Sequence, residues 1–174
     1  MNNFYYWYKN IILTDLLYKL NLNNSFSVAR LNNVCLTACF QSIIEKPKTV
    51  LYSLLAFKIL TFQAPTICKA KHSLAAFNLR KGMLVGVKIS LRKKLMYNFL
   101  CLFTAFVLPS LEKISFLNIS GCFSIGIPNI FFFPHVSCFR NSFLKDFSFI
   151  ININILNGDS LVSKLLLTGL QFPL

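Results

Sequence analysis

Residues 84–92 have the sequence LVGVKISLR, and the alternation within this stretch decides the fold class of the chain. Apolar residues stand at positions 85, 87, 89 and 91, and glycine, lysine, serine and arginine stand at positions 86, 88, 90 and 92. A period of two places successive side chains on opposite faces of a β-strand. The stretch is therefore predicted to be a strand that is buried on one face and carries Lys88, Ser90 and Arg92 on the other.

Further helix and strand patterns lie on both sides of this strand. The expected helices cover residues 4–20, 51–62, 95–107 and 160–167, and the other expected strands cover residues 31–38 and 147–155. Gly169 is expected to close the last helix, and residues 112–137 are expected to be loop-rich because glycine and proline punctuate them. No repeat and no linker divides the chain, so one α+β domain is predicted over residues 1–174.

The composition of the chain excludes some classes of protein and leaves others open. Eighteen Lys and Arg against five Asp and Glu give the 174 residues a net charge of +13, and 55% of the residues are hydrophobic. Such hydrophobicity excludes an intrinsically disordered chain. A membrane protein, a basic RNA-binding domain and a chance translation of AT-rich DNA all fit these numbers. Agreement between periodicity and helix capping along the chain argues against the third.

Residues 95–111 are the strongest candidate for a membrane span. A spanning helix needs about 20 mostly apolar residues, whereas this stretch is short by a turn and contains Asn98 and Pro109. Basic residues at positions 92–94 precede it. A small basic membrane protein anchored by residues 95–111 is therefore the alternative hypothesis, which retention in membranes after carbonate extraction would favour. No targeting segment is visible in the first ten residues, and no membrane insertion is expected.

The positive charge is concentrated in the middle of the chain. No acidic residue lies between Glu45 and Glu112, and this interval carries eleven Lys or Arg residues. A solvated surface normally mixes both signs of charge, so the missing acids favour a nucleic acid over solvent as the counter-charge. A sheet face with Lys88, Ser90 and Arg92 would neutralise phosphates and release their condensed counterions.

Cysteine and histidine residues suggest one possible metal site. Cys68 and His72, together with His135 and Cys138, have ligand types that zinc uses. These are the only two histidines in the chain, so the favoured interpretation is coincidence, and whether the four converge stays open. No cofactor, no metal and no enzymatic activity is predicted, because the five scattered acids form no paired-carboxylate site and no nucleophile–histidine–acid pattern is present.

The stretch from Pro65 to Arg92, PTICKAKHSLAAFNLRKGMLVGVKISLR, resembles the signature of the large-subunit ribosomal protein L five family, whose members bind 5S ribosomal RNA. The resemblance continues in register from the tyrosine-rich first helix to the Phe172-Pro173 pair, so it covers the whole chain. Positions that match the signature are Pro65, Lys69, Ala70, Lys71, Ser73, Ala75, Phe77, Arg80, Gly82, Gly86, Lys88, Leu91 and Arg92.

The resemblance implies an antiparallel sheet with helices packed on one face and a structural role in the central protuberance of the large ribosomal subunit. The open face of the sheet would contact 5S rRNA, or a replacement rRNA, and large-subunit rRNA. Neighbouring central-protuberance proteins and small-subunit ribosomal protein thirteen, across an intersubunit bridge, are the implied protein partners. The implied rRNA-binding residues are Thr37, Gln63, Lys88, Ser90 and Arg92.

The segment from Lys69 to Lys81 corresponds in the family to a basic loop that faces the P-site tRNA. Within it, Phe77 either stacks on RNA or anchors the base of the loop. The residues implied to face tRNA are Lys69, Lys71, Ser73, Phe77, Arg80 and Lys81.

Three features depart from the family pattern. An RNA-contacting asparagine in a turn is replaced by Thr37, within residues 36–40. The family loop that corresponds to residues 117–124 loses an arginine and a glycine, and His135 replaces an acidic residue.

Enrichment in residues with AT-rich codons, together with the lack of a visible targeting segment, predicts a mitochondrial matrix protein of the mitochondrial ribosome that is encoded in the organelle genome.

Overall fold

One antiparallel sheet of six strands organises the described part of the chain. The structure, a computed structural model, describes residues 3–39, 49–111, 116–119, 121–137 and 147–173. The strand order is β2-β3-β1-β6-β5-β4, so the first and last strands of the chain lie side by side in the middle. The strands are β1 (Arg30–Cys39), β2 (Thr66–Lys69), β3 (Leu84–Leu91), β4 (Phe116–Ile119), β5 (Cys122–Ile127) and β6 (Phe149–Leu156).

Five helices accompany the sheet in the described part of the chain. Two of them are interrupted by a π-helical turn, at Tyr8–Ile12 in the first and at Phe103–Val107 in the third. Within the described residues, no helix combines the length and the hydropathy needed to cross a membrane, and this includes the one that contains residues 95–110. The helices are α1 (residues 3–19), α2 (Thr49–Thr61), α3 (residues 93–110), α4 (Pro134–Ser137) and α5 (Ser160–Gly169).

The core lies between the helices and one face of the sheet. Strand β3 contributes buried Val87, Ile89 and Leu91, and the central strands β1 and β6 contribute buried side chains at alternate positions, as the period of two predicts. Phenylalanine rings fill the space behind the sheet, and those of Phe99 and Phe103 are stacked with their centroids 6.1 Å apart. The predicted α+β architecture with helices packed on one face is confirmed.

The predicted elements that carry a clear period are present. Helices begin and end within a few residues of the expected bounds, and the strand predicted at residues 31–38 extends over Arg30–Cys39. This extension corrects the turn expected at residues 36–40, because Leu36 to Cys39 pair with β3 in the sheet. Phe40 lies outside the described residues.

The expectation that residues 112–137 are loop-rich is wrong for the described residues 116–119 and 122–127. Strands β4 and β5 form a hairpin there, and β5 buries Phe123, Ile125 and Ile127 against the core. Gly121 does have the positive φ of a turn residue, 81°. Gly126, which the sequence indicated as punctuation, lies inside β5 opposite Ile150.

Gly169 ends the last helix, as expected, but it is not a left-handed capping glycine. It is the final residue within α5, and the left-handed residue that follows the helix is Gln171, with a φ of 65°. A Cβ atom on Gly169 would lie 3.2 Å from Cγ2 of Ile12. The glycine therefore permits the close approach of α5 to α1.

Three tyrosines attach the first helix to the sheet and to α3. The Tyr8 hydroxyl accepts a hydrogen bond of 3.0 Å from the backbone N–H of Leu31 in β1. The Tyr97 ring on α3 lies 5.4 Å from the ring of Tyr8 and 4.9 Å from that of Tyr5. Burial raises the pKa of both the Tyr8 and the Tyr97 hydroxyl above the ordinary value, so both stay protonated at alkaline pH values at which an exposed tyrosine begins to ionise.

Replacing Gly86 by alanine should destabilise the sheet. A Cβ atom there would overlap the backbone carbonyl oxygen of Ala38 on the neighbouring strand, which cannot move without distorting the sheet. We expect the free energy of unfolding to fall by about 1–3 kcal/mol, measured by urea denaturation. The matched control is Gly126→Ala, because no heavy atom lies within 4 Å of a Cβ at that position. Equal stabilities of the two variants would contradict the close approach at Gly86.

Stability should fall as the pH rises above about 10, the pKa of tyrosine in an unfolded chain. The native pKa of Tyr97 is raised, so the unfolded state loses protons that the native state still holds, and the stability present below pH 10 is progressively lost. Tyr97→Phe should therefore reduce the difference between urea midpoints measured at about pH 8 and about pH 11. Tyr18→Phe, which removes an exposed hydroxyl, is the control. An equal fall in the urea midpoint in both variants between these two pH values would rule out Tyr97 as the origin of the alkaline loss of stability.

Candidate nucleic-acid interface

The face of the sheet opposite the helices carries mostly small or polar side chains, with exposed Leu117 and Ile150 as apolar exceptions. Most of these side chains are exposed or half-buried, whereas most of those on the other face are buried, the exceptions lying towards β2, where Ile67 is exposed. Residues on this open face are Thr66 and Cys68 of β2, Gly86, Lys88 and Ser90 of β3, Asn33, Cys35, Thr37 and Cys39 of β1, Ile150, Asn152 and Asn154 of β6, Cys122, Ser124 and Gly126 of β5, and Leu117 of β4.

Four of the five residues predicted to bind rRNA lie close together on or beside the open face. Thr37 of β1 is paired in register with Lys88 of β3. Gln63, which follows α2, donates a hydrogen bond of 3.4 Å from Nε2 to the backbone carbonyl oxygen of Ser90. The Ser90 hydroxyl also lies 3.5 Å from the sulfur of Cys35. The fold thus brings together residues from three separate segments of the chain.

Arg92, the fifth predicted residue, lies at the end of β3. Its backbone remains extended, with φ −138° and ψ 159°, immediately before α3 begins. It is exposed, as are Lys93 and Lys94 after it. The density of positive charge therefore increases from Lys88 towards this end of the strand.

Three asparagines on the open face were not predicted as site residues. Asn154 of β6 donates a hydrogen bond of 2.8 Å from Nδ2 to Oδ1 of Asn33 on β1. Asn152 lies between Cys35 and Ser124 in the register of the three strands. The alternation of isoleucine and asparagine in β6 was visible in the sequence, but only the pairing of β6 with β1 shows that these amides continue the surface formed by Thr37 and Ser90.

The cations of the open face have no acidic partners within the described part of the chain. Asp15 and Asp159 are the only acidic residues in the described ranges, and the single ion pair found there joins Asp15 to Lys19 on α1, at 2.6 Å. Exposed ion pairs contribute little, but uncompensated cations beside hydrogen-bonding side chains form a surface suited to phosphate groups.

The segment predicted to be a basic loop is an extended hairpin. Beyond β2 and β3, the Ala70 N–H donates to the Met83 carbonyl at 2.9 Å and the Gly82 N–H donates to the Ala70 carbonyl at 3.0 Å. Leu74 and Leu79 then exchange two backbone hydrogen bonds near the tip. The predicted side chains that are exposed to solvent here are those of Lys69, Lys71, Ser73, Arg80 and Lys81.

Phe77 lies in a short 3-10 turn, Ala75–Phe77, at the tip of this hairpin. The following residue, Asn78, has a φ of 53°, a left-handed conformation that asparagine tolerates better than most residues. The prediction that Phe77 stacks or packs concerns a side chain that lies outside the described part of the structure.

The possible zinc ligands do not form a site in the described part of the chain. Cys68 is in β2, His72 is in the hairpin, and His135 is the second residue of α4, where its ring lies 6.5 Å from that of Phe62. Among the described residues, no three His, Cys, Asp or Glu side chains are placed to hold a metal ion. Cys138 lies outside the described residues.

Comparison with known families decides the class of the protein. Residues 84–174, which span β3 to the carboxyl end, match the family model for the C-terminus of the ribosomal protein L five family. The chain belongs to this family. Its members are structural proteins and not enzymes, so the predicted absence of enzymatic activity agrees with family membership.

Individual relatives extend the match beyond the C-terminal region. The chain is 29% identical over 179 residues to large ribosomal subunit protein uL5m of Reclinomonas americana, covering 100% of this chain and 98% of the relative. It is 33% identical over 135 residues to large ribosomal subunit protein uL5 of Mycoplasma capricolum, covering 74% of both chains. A third relative, uL5c of Cyanidioschyzon merolae, is 30% identical over 139 residues, covering 75% of both chains. The predicted membership of the L five family is therefore confirmed.

Proposed function

We propose that the chain is a structural constituent of the large ribosomal subunit of an organelle, and that it binds rRNA in the central protuberance through the open face of its sheet. The expected RNA is 5S rRNA or the rRNA segment that replaces it. Residues 1–174 would act as one domain in this assembly. Support for the proposal comes from the family, from relatives named as large-subunit proteins and from the chemistry of the open face.

The observation that carries the proposal is the division of the sheet into two unlike faces. One face is buried under the helices, while the other presents hydroxyl, amide and ammonium groups without acids in the described residues. A-form RNA offers 2′-hydroxyls and phosphates across a wide, shallow groove, which such a broad polar surface can contact. Thr37 and Ser90 would hydrogen-bond to sugar or base edges, together with Gln63, and Lys88 and Arg92 would neutralise phosphates.

The basic hairpin is proposed to contact the P-site tRNA. Its backbone ladder extends beyond β2 and β3, which places Lys71, Arg80 and Lys81 on a projection from the sheet. Exposed cations on a narrow projection would reach a phosphate backbone at a distance from the main interface. Contact with small-subunit ribosomal protein thirteen, and with neighbouring central-protuberance proteins, is proposed on the family resemblance alone.

A mitochondrial location is proposed for the ribosome that contains this chain. The relative from Reclinomonas americana is named as a uL5m protein and matches the full length of the chain. Relatives named uL5c also match, so a plastid origin is the competing possibility. The enrichment in residues with AT-rich codons supports synthesis from the organelle genome, which the codon usage of the gene tests directly.

Removing two cations from the open face should weaken binding to rRNA. For Lys88→Ala combined with Arg92→Ala, we expect lower affinity for a 5S rRNA transcript and a slope of log affinity against log salt that is less steep by up to about two, because two phosphate contacts are lost. The measurement is filter binding across a salt series. Lys58→Ala combined with Lys164→Ala removes the same charge from exposed positions on α2 and α5 and serves as the control.

Equal losses in the two double variants would show that net charge, and not the open face, determines binding. Unchanged affinity and slope in the Lys88 and Arg92 variant would place the rRNA contact elsewhere. If 5S rRNA binds neither the native chain nor the control variant, the same comparison is made with the large-subunit rRNA. Binding of that RNA would show whether a replacement segment occupies the open face.

The basic hairpin is tested through tRNA binding, with a variant that leaves the residues of the open face unchanged. Ribosomes that carry Lys71→Ala, Arg80→Ala and Lys81→Ala should release P-site tRNA faster, and the salt dependence of tRNA affinity should be less steep by up to about three units. Binding of the same variant to rRNA should stay close to normal, since the open face is unchanged. A variant that loses rRNA binding and keeps tRNA affinity would refute the assignment of the hairpin.

A further inference from the structure

A concave site lies beside α3, at the start of β1 and next to the open face. Its volume is about 730 Å³, and it lies between the first helix, the start of β1 and the first turns of α3. This volume falls within the range of about 300–1,000 Å³ typical of ligand pockets. The lining residues are Tyr5, Leu31, Asn32, Lys93, Lys94, Met96 and Tyr97.

The lining divides into an apolar floor, an aromatic wall and a polar rim. Leu31 and Met96 are buried and form the floor. Tyr5 is 41% exposed and packs against the half-buried ring of Tyr97, at a centroid distance of 4.9 Å, so these rings present aromatic surface to the cavity. The rim carries exposed Lys93 and Lys94.

The backbone around the rim is specially shaped. Asn32 is the extra residue of a β-bulge, since the register with β6 shifts between Leu31 and Asn33. A bulge interrupts the ladder and redirects a side chain, and Asn32 is exposed at the mouth of the cavity. Lys93 has a φ of 51°, a conformation that is uncommon for lysine and whose free-energy cost the surrounding structure must offset.

The wall is held in position by buried contacts behind it. Tyr8 packs against Tyr97 and is itself fixed by the hydrogen bond from the Leu31 backbone. The aromatic surface is therefore pre-organised, which lowers the entropy cost of binding a flat ligand.

We infer that this cavity, the tyrosine–lysine pocket, binds a single unpaired nucleotide of ribosomal RNA. The base would lie against the rings of Tyr5 and Tyr97, over the apolar floor. Its phosphate would contact the ammonium groups of Lys93 and Lys94, and Asn32 would hydrogen-bond to the edge of the base. Unstacked bases of single-stranded RNA are commonly recognised by aromatic stacking combined with cationic contacts to the backbone.

Charge and chemistry favour this occupant over an apolar peptide. Among the described residues, no acidic side chain lines the pocket and none pairs with the cations on its rim. A hydrophobic peptide would leave two adjacent ammonium groups without a counter-charge, whereas a nucleotide supplies both a flat aromatic surface and a phosphate. The inference rests on the proposed RNA-binding function, but it uses residues that the open face does not require.

The test uses the full chain and a short unstructured oligouridine that contains 5-iodouridine. Irradiation should crosslink the RNA to Tyr5 or Tyr97, as identified by mass spectrometry of the peptides.

Tyr5→Leu keeps an apolar side chain but removes the stacking surface, so affinity for the oligouridine should fall at least about fivefold with an unchanged salt slope. Lys93→Ala combined with Lys94→Ala should reduce the slope by about 1.4, the value for two single-strand phosphates.

The variant Lys88→Ala separates this inference from the proposed function. Lys88→Ala should weaken binding to the folded rRNA and leave oligouridine crosslinking at the pocket unchanged. Tyr5→Leu should instead reduce oligouridine crosslinking at the pocket. Crosslinks confined to the open face, or equal oligouridine affinity in Tyr5→Leu and the native chain, would overturn the pocket assignment. A ribosome map with a neighbouring protein in the pocket would also overturn it. If Lys88→Ala binds the folded rRNA as tightly as the native chain does, this result alone would count only against the open-face interface.

Discussion

The burial of one face of the sheet under the helices is the constraint on which the other features of this protein depend. Strands β1, β3 and β6 direct alternate side chains into a core rich in phenylalanine and isoleucine. Because the side-chain period of a strand is two, burying one set of residues necessarily presents the other set on the opposite face. A shift of one residue would exchange Lys88 with Val87 or Ile89, so the same hydrophobic contacts that stabilise the fold also keep the polar row in place.

The two candidate RNA contacts use this constraint in different ways. The open face is broad and depends on the register of several strands, with Thr37 opposite Lys88 and Asn33 hydrogen-bonded to Asn154. The tyrosine–lysine pocket is narrow and depends on a bulge, a left-handed lysine and three packed rings. They meet near the end of β3, where Arg92 belongs to one surface and Lys93 to the other. A continuous run of cations thus serves two neighbouring surfaces of different shape.

Much of the fold could be predicted from the sequence because its periods are clear. Strand β3 and the central strand β6 alternate without interruption, and the helices are delimited by turn residues. The β4–β5 hairpin could not be predicted with the same rules, because glycine at position 126 favours a turn and is unfavourable inside a strand. Only the pairing with β6 distinguishes the two. Gly169 illustrates the same limit, since its role is set by Ile12 on a distant helix.

The candidate site was predictable to the extent that its residues lie on one strand or match the family signature. Lys88, Ser90 and Arg92 follow from alternation, and Thr37 and Gln63 from the resemblance. Asn33, Asn152 and Asn154 became recognisable only when strand order was known, since β1 and β6 are far apart in the sequence. Asn32 is part of the pocket through a register shift that has no local sequence signal.

The strand order also has a consequence for how the protein is made. The central strand β6 is synthesised after the other five strands, yet it alone joins β1 to the β4–β5 hairpin. Until residue 156 has been added, β1 has an unpaired edge and the hairpin lacks its neighbour in the sheet. Such non-local pairing folds slowly and leaves strand edges open to wrong partners in the meantime. A nascent chain of this protein therefore holds two unfinished halves of a sheet, which a single late strand unites.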